Sequence, residues 1–149
     1  MGKNFNGTQI NQSVSIVEKA GADITDVRNR VLKYDADGNA VLAEAGTDLP
    51  VGVAIIEAGY NDISGNDSGK VKKGEDVDIQ IKDMGYAIAG ADIKKGQEVS
   101  ASAGGTVSPA AAGNYVLGIA LCEASKDAYC RIQIVKYQKA GASGGAATE

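Results

Sequence analysis

Five residues, AGADI, occur at 20–24 and again at 89–93, and they open a much longer internal match. "AGADITDVRNRVLKYDADGNAVLAEAGTDLPVGVAIIEA" lies over "AGADIKKGQEVSASAGGTVSPAAAGNYVLGIALCEA" with a few residues of slippage near the start. Gly38 then falls on Gly104, Val41 on Val107, Ala45 on Ala111, and VGVAIIEA on LGIALCEA. After loops of unequal length, VDIQIKD at 77–83 matches CRIQIVK at 130–136. A match of this length and period is the mark of a duplicated structural unit. It divides the chain into an extended N-terminal arm (1–19), a β-rich body (20–137) built from two repeats at about 20–83 and 89–137, and a flexible, Gly- and Ala-rich tail (138–149).

Each copy has the pattern of short strands. In VDIQIK, Val77, Ile79 and Ile81 alternate with Asp78, Gln80 and Lys82, which places one face in a core and the other in water. Gly-centred turns, DADGN and AGGT, separate runs such as RVLKY, AVLA and TVSP. Val and Ile far outnumber Leu, and β-branched side chains suit a pleated surface. The expected fold is all-β or mainly β, a duplicated small unit forming a compact barrel or sandwich of β-tulip-like form. The only helical turn expected is in SPAAAG, where Pro109 suits a first helical position. With 20 Gly, one Phe and no Trp, the core is thin, so the subunit is expected to gain stability by self-association.

Charge and composition exclude several functions. A net charge of −4 and a pI near 4.9 disfavour direct contact with nucleic-acid phosphates. No apolar run approaches the length of a membrane span, and the polar, Asn-rich beginning has no apolar targeting stretch, which fits synthesis in a cytoplasm. There is no His, so no imidazole can complete a zinc set with the two Cys, a Ser–His or Cys–His nucleophile cannot be assembled, and no catalytic residue, metal or cofactor is expected. DADGN begins like a calcium loop, but the twelfth residue from Asp35 is Gly46 rather than Glu, and the flanks are β. Cys122 and Cys130 match no metal spacing. Leu117, Ile119 and Leu121 share one face by parity and leave Cys122 on the other, whereas Cys130 shares its face with Ile132 and Ile134. Synthesis in a cytoplasm argues against a disulfide. If the two apolar faces meet one core, the thiols point apart unless a bulge intervenes, and both are expected to be inert.

Two segments carry the candidate binding residues. The arm spaces Phe5, Ile10, Val14 and Ile16 along polar sequence, as a strand-forming arm that fills shallow pockets on a partner would, and a frayed terminus is the alternative. The loop GYNDISGNDSGKVKKGED is longer than its partner SKDA in the second copy, and it presents Tyr60, Asp62, Asn66 and Asp67.

The two-copy unit, with AGA-I-GQ-V, a Gly-centred turn, an Ala-rich connector, LGIAL-EA and a closing RIQIV strand, resembles the capsid decoration proteins of tailed phages, also called head cement or stabilisation proteins. The resemblance covers about 20–137. It implies a homotrimer on the outer surface of the virion capsid that bridges neighbouring major capsid proteins, with no reaction and no cofactor, and it makes the capsid the partner of Phe5, Ile10, Val14 and Ile16 in the arm. A virion-exposed adhesion module that binds host-surface glycans is the alternative. It would need clustered aromatics, and the six Tyr are dispersed along the chain.

Overall fold

The structure, a computed structural model, describes residues 13–64 and 67–142. It is all-β. The first half contributes β1 (Ser15–Lys19), β2 (Val31–Tyr34), β3 (Ala40–Leu42), β4 (Gly52–Ala54) and β5 (Asp76–Gln80). The second contributes β6 (Asp83–Ile88), β7 (Glu98–Ser102), β8 (Thr106–Pro109), β9 (Tyr115–Ala120) and β10 (Tyr129–Gln138). The strands form two five-stranded sheets of order β1-β5-β4-β2-β3 and β6-β10-β9-β7-β8, with neighbouring strands antiparallel throughout. The orders are the same, so the duplication extends from sequence to topology.

Each unit begins with a strand that lies outside the matched sequences. Ser15–Lys19, assigned above to the arm, is β1 and runs antiparallel to β5 from Ser15↔Gln80 to Lys19↔Asp76. Its counterpart β6 pairs with β10 from Ile134↔Asp83 to Tyr129↔Ile88. SIVEK and DMGYAI share no residue pattern, because strands at the edge of a sheet are chosen by their neighbours more than by their own sequence. Pro109 ends β8, paired with Val99, and the one helical turn among the described residues is the 3-10 turn Ala103–Gly105 in the connection before it.

The AGADI pentapeptide is the corner that rolls each sheet toward closure. Ala20, one residue past β1, bridges Ala40 at the far edge, and the Gly21 N–H donates to the Ala40 carbonyl at 2.8 Å. Ala89 and Gly90 do the same with Val107, at 2.7 Å. Gly is required at both corners: a Cβ on Gly21 would strike the Asp35 carboxylate, and one on Gly90 the Thr106 hydroxyl. Asp23 accepts the Lys73 N–H at 2.9 Å and Asp92 that of Lys126 at 3.0 Å, so each carboxylate pins the next turn. Ile24 and Ile93 then bridge Val71 and Ala124.

Two apolar clusters result. Ile24, Val27, Leu32, Val77 and Ile79 fill the first unit. The second cluster combines Ile93, Val99, Leu117, Cys130 and Ile132 with Val31, Ala43 and Val53 of the first unit, so it is both the interior of one repeat and its seam with the other. Main-chain bonds run along this seam from Gly105 N to Ala43 O at 2.9 Å and from Tyr115 N to Gly46 O at 2.7 Å.

Irregular register changes the parity expected for β9. Val99 pairs with Gly118 but Ser100 with Val116, which leaves Leu117 as an extra residue, and the register against β10 shifts between Ile134 and Tyr137. Leu117 and Ala120 are both buried, while Ile119 and Leu121 are half-buried. Cys122 packs on the cluster that holds Cys130. The thiols do not point apart, because the bulge reverses the face beyond Leu117.

Candidate functional site: an uncovered end of the first repeat

The expected arm residues divide between described and undescribed positions. Phe5 and Ile10 lie outside the described residues. Val14 is exposed, and its carbonyl accepts the Ile81 N–H at 2.9 Å, which extends the β1–β5 pairing by one step. Ile16 stands opposite Ile79 and continues the inner face of β5 outward.

Ile16 lines a groove of about 530 Å³ together with Tyr34, Leu49, Pro50, Val51 and Ile81, with Lys33, Asp48 and Lys136 among its polar members. Several contacts hold this shape. The Asp48 carboxylate accepts Lys33 Nζ at 2.8 Å and the N–H groups of Glu44 and Ala45 at 2.8 and 3.1 Å, which fixes the turn that carries Leu49 and Pro50. Burial pushes the Asp48 carboxyl up, but Lys33 and the two peptide donors outweigh it and leave it below the usual Asp range. The Tyr34 hydroxyl donates to Glu18 at 2.8 Å, and burial followed by that carboxylate raises its pKa. Lys136 donates to the Val51 carbonyl at 2.7 Å, and burial lowers its pKa.

The same end of the second repeat is covered. The repeat match sets Val51 on Leu117 and Ile81 on Ile134. Leu117 and Ile134 are buried in the cluster that includes Val31, Ala43 and Val53, so the first repeat seals the end of the second. Among the described residues nothing seals the first: Ile16, Val51 and Ile81 are only partly buried and Leu49 is 64% exposed. The sequence could not reveal this difference, because the aligned segments are equally apolar in both copies.

A second apolar surface adjoins the first across the β5–β6 turn. Ile56, Met84 and Tyr86 are each about half exposed around a smaller depression of about 280 Å³ that also includes Gln80. On the same face of the sheet, Tyr129 sits opposite Ile88 and Arg131 opposite Tyr86.

The long loop is accounted for by its own contacts. Tyr60 is exposed, and it is tied to the loop base by Tyr60 N to Lys70 O at 2.8 Å and Gly69 N to Tyr60 O at 2.6 Å. Asp62 accepts the Ser64 N–H at 3.1 Å, and Asp67 pairs with Lys70 at 2.5 Å. Asn66 lies outside the described residues. Asp35 accepts the N–H groups of Asp37 and Asn39, both at 2.9 Å, so DADGN is a turn organised around its first carboxylate. Among the described residues no three His, Cys, Asp or Glu side chains are grouped to hold a metal, and no helix is long and apolar enough to cross a membrane.

No family model matches the chain, and the search of curated proteins finds no match. Among solved structures, the head fiber gp8.5 N base of bacteriophage phi29 is similar, with a TM-score of 0.58 and 24% identity over 82% of this chain and 93% of that one. The likeness is one of fold.

Proposed function

We propose that this protein is a non-enzymatic structural component of a tailed-phage virion that sits on the outer surface of the head and binds the major capsid protein. The observation that carries the proposal is the apolar end of the first repeat, which no described residue covers, whereas its counterpart in the second repeat is sealed by packed aliphatic side chains. The fold shared with a phage head fiber base supports the virion setting. In this role the groove receives an apolar segment of capsid protein, and the β1 edge beside it offers main-chain groups for strand addition. Bridging of neighbouring capsid proteins as a homotrimer multiplies individually weak contacts through avidity. No cofactor takes part.

Adding the purified protein to heads that lack it, followed by sedimentation, tests the proposal. Saturable co-sedimentation with mature heads is expected, together with greater resistance of those heads to heat or chelation. Failure of the protein to associate with any form of the head would remove it.

One observation favours a second function. Tyr86 and Tyr129 lie on paired strands, on one face and both exposed, as a sugar-stacking platform requires. Glycan-array binding that is lost on Tyr86→Ala would support host-surface adhesion.

A further inference from the structure

Cys122 and Cys130 approach each other where the β9–β10 hairpin ends. Ala120 pairs with Ile132, the Leu121 N–H donates to the Arg131 carbonyl at 2.8 Å, and there the ladder ends, which frees the Arg131 N–H to turn to the Cys122 sulfur. The Cys122 sulfur accepts the Arg131 N–H at 3.3 Å, which holds it against the β10 backbone one residue from Cys130. The Cys130 sulfur lies 4.0 Å from the Cys122 carbonyl oxygen. Both are free thiols packed on the same apolar cluster.

The two sulfurs differ in access. Cys130 is fully buried, and burial, followed by the neighbouring Cys122, pushes its thiol up to about 11. It therefore stays protonated near neutral pH. Cys122 is half-exposed, and the N–H aimed at its sulfur can stabilise the charge that sulfur bears as it attacks.

We propose that Cys122 and Cys130 form an oxidation site that a peroxide converts to an intrachain disulfide. Cys122 is oxidised first and Cys130 resolves the product. In the first step the Cys122 thiolate attacks one peroxide oxygen; an S–O bond forms, the O–O bond breaks, and the departing hydroxide takes up the proton that left the thiol, giving water. In the second step the Cys130 sulfur attacks the Cys122 sulfur; the S–S bond forms, the S–O bond breaks, and hydroxide leaves with the Cys130 proton as a second water. Two thiols are oxidised and one peroxide is reduced to two waters. The product staples the end of the closing hairpin to the core of the second repeat. A particle released from a reducing cytoplasm would meet such oxidants outside.

The full-length protein is treated with hydrogen peroxide, then alkylated and weighed intact. The expected product is a monomer lighter by the two thiol hydrogens, with neither cysteine alkylated, a cross-linked 122–130 peptide after digestion, and full reversal by dithiothreitol. Its melting temperature should rise by roughly 5–10 °C over the reduced form, as expected for a bond that closes a short loop. In Cys122→Ser, Cys130 should remain alkylatable after the same treatment. Addition of oxygen to Cys122 while Cys130 stays alkylatable, a covalent dimer, or two unreacted thiols would each overturn the proposal. Oxidation of Cys130 at an undiminished rate in Cys122→Ser would overturn the order of attack. The comparison of oxidised with reduced wild-type protein needs no variant, so the test does not depend on Cys122→Ser folding.

Discussion

Gly52 on β4 packs so closely against Gln80 on β5 that a Cβ at position 52 would collide with the Gln80 carbonyl oxygen. Gly118 repeats the relationship with the Gln133 carbonyl. The VGVAII–IQI and LGIALC–IQI pairings thus preserve a contact in which a side chain has no room, at the centre of each sheet. Gly52→Ala and Gly118→Ala should each cost about 2–3 kcal/mol, through separation of paired strands rather than loss of backbone freedom. Gly141→Ala, with open space around it, should change stability by less than about 0.5 kcal/mol. Urea unfolding of the three variants checks the contrast.

Acid should weaken the fold through identifiable carboxylates. Arg28 grips Asp26 through Nε at 2.9 Å and Nη2 at 2.8 Å, and this hydrogen bonding holds the Asp26 carboxyl below its usual 3.8 despite partial burial. Asp48 is lowered as well. A carboxylate with a depressed folded pKa contributes stability above the unfolded value and loses it as pH falls through the folded one. Stability should therefore be level above about pH 5 and fall progressively below 3.8, the ordinary Asp value, with Asp26→Asn and Asp48→Asn each reducing the slope. Denaturant midpoints measured from pH 7 down to pH 2 test this.

The groove can be disabled without harming the fold. Leu49 is mostly exposed, so Leu49→Asp should shift stability by no more than about 0.5 kcal/mol, yet it places a charge where an apolar partner would lie. Head binding by this variant should fall at least tenfold, measured by quantitative sedimentation with saturating heads. Binding that stays at the wild-type level would remove the groove from the proposed capsid contact.

The seam makes the second repeat depend on the first. Val31 and Val53 are buried in the cluster that also contains Leu117 and Ile132. Val53→Ala should cost about 1–3 kcal/mol and, although the substitution lies in β4, should weaken hydrogen-exchange protection in β9 and β10. Loss of protection confined to the first repeat would show the two units to be independent.

Much of the architecture was legible in the residues themselves. Alternation in VDIQIK put Val77 and Ile79 inside, and both are fully buried. The repeated AGADI marked equivalent corners because the same close approach needs Gly21 and Gly90. Repeat matching and parity are local properties of a chain, so sequence carries them directly. Other features depend on groups distant in the chain. Ser15–Lys19 became a strand because β5 offers it an edge, and no pattern within SIVEK says so. Cys122 turned toward Cys130 because Leu117 bulges between β7 and β10, and one extra residue reverses every face beyond it. Two nearly equal apolar ends were written into the duplication, but only the folded chain decided that Val31 and Val53 would seal one and leave Ile16 and Leu49 open. Sequence sets which surfaces are apolar; which of them meet is settled by three-dimensional packing, in which, among the described residues, the first repeat covers the end of the second and none covers its own.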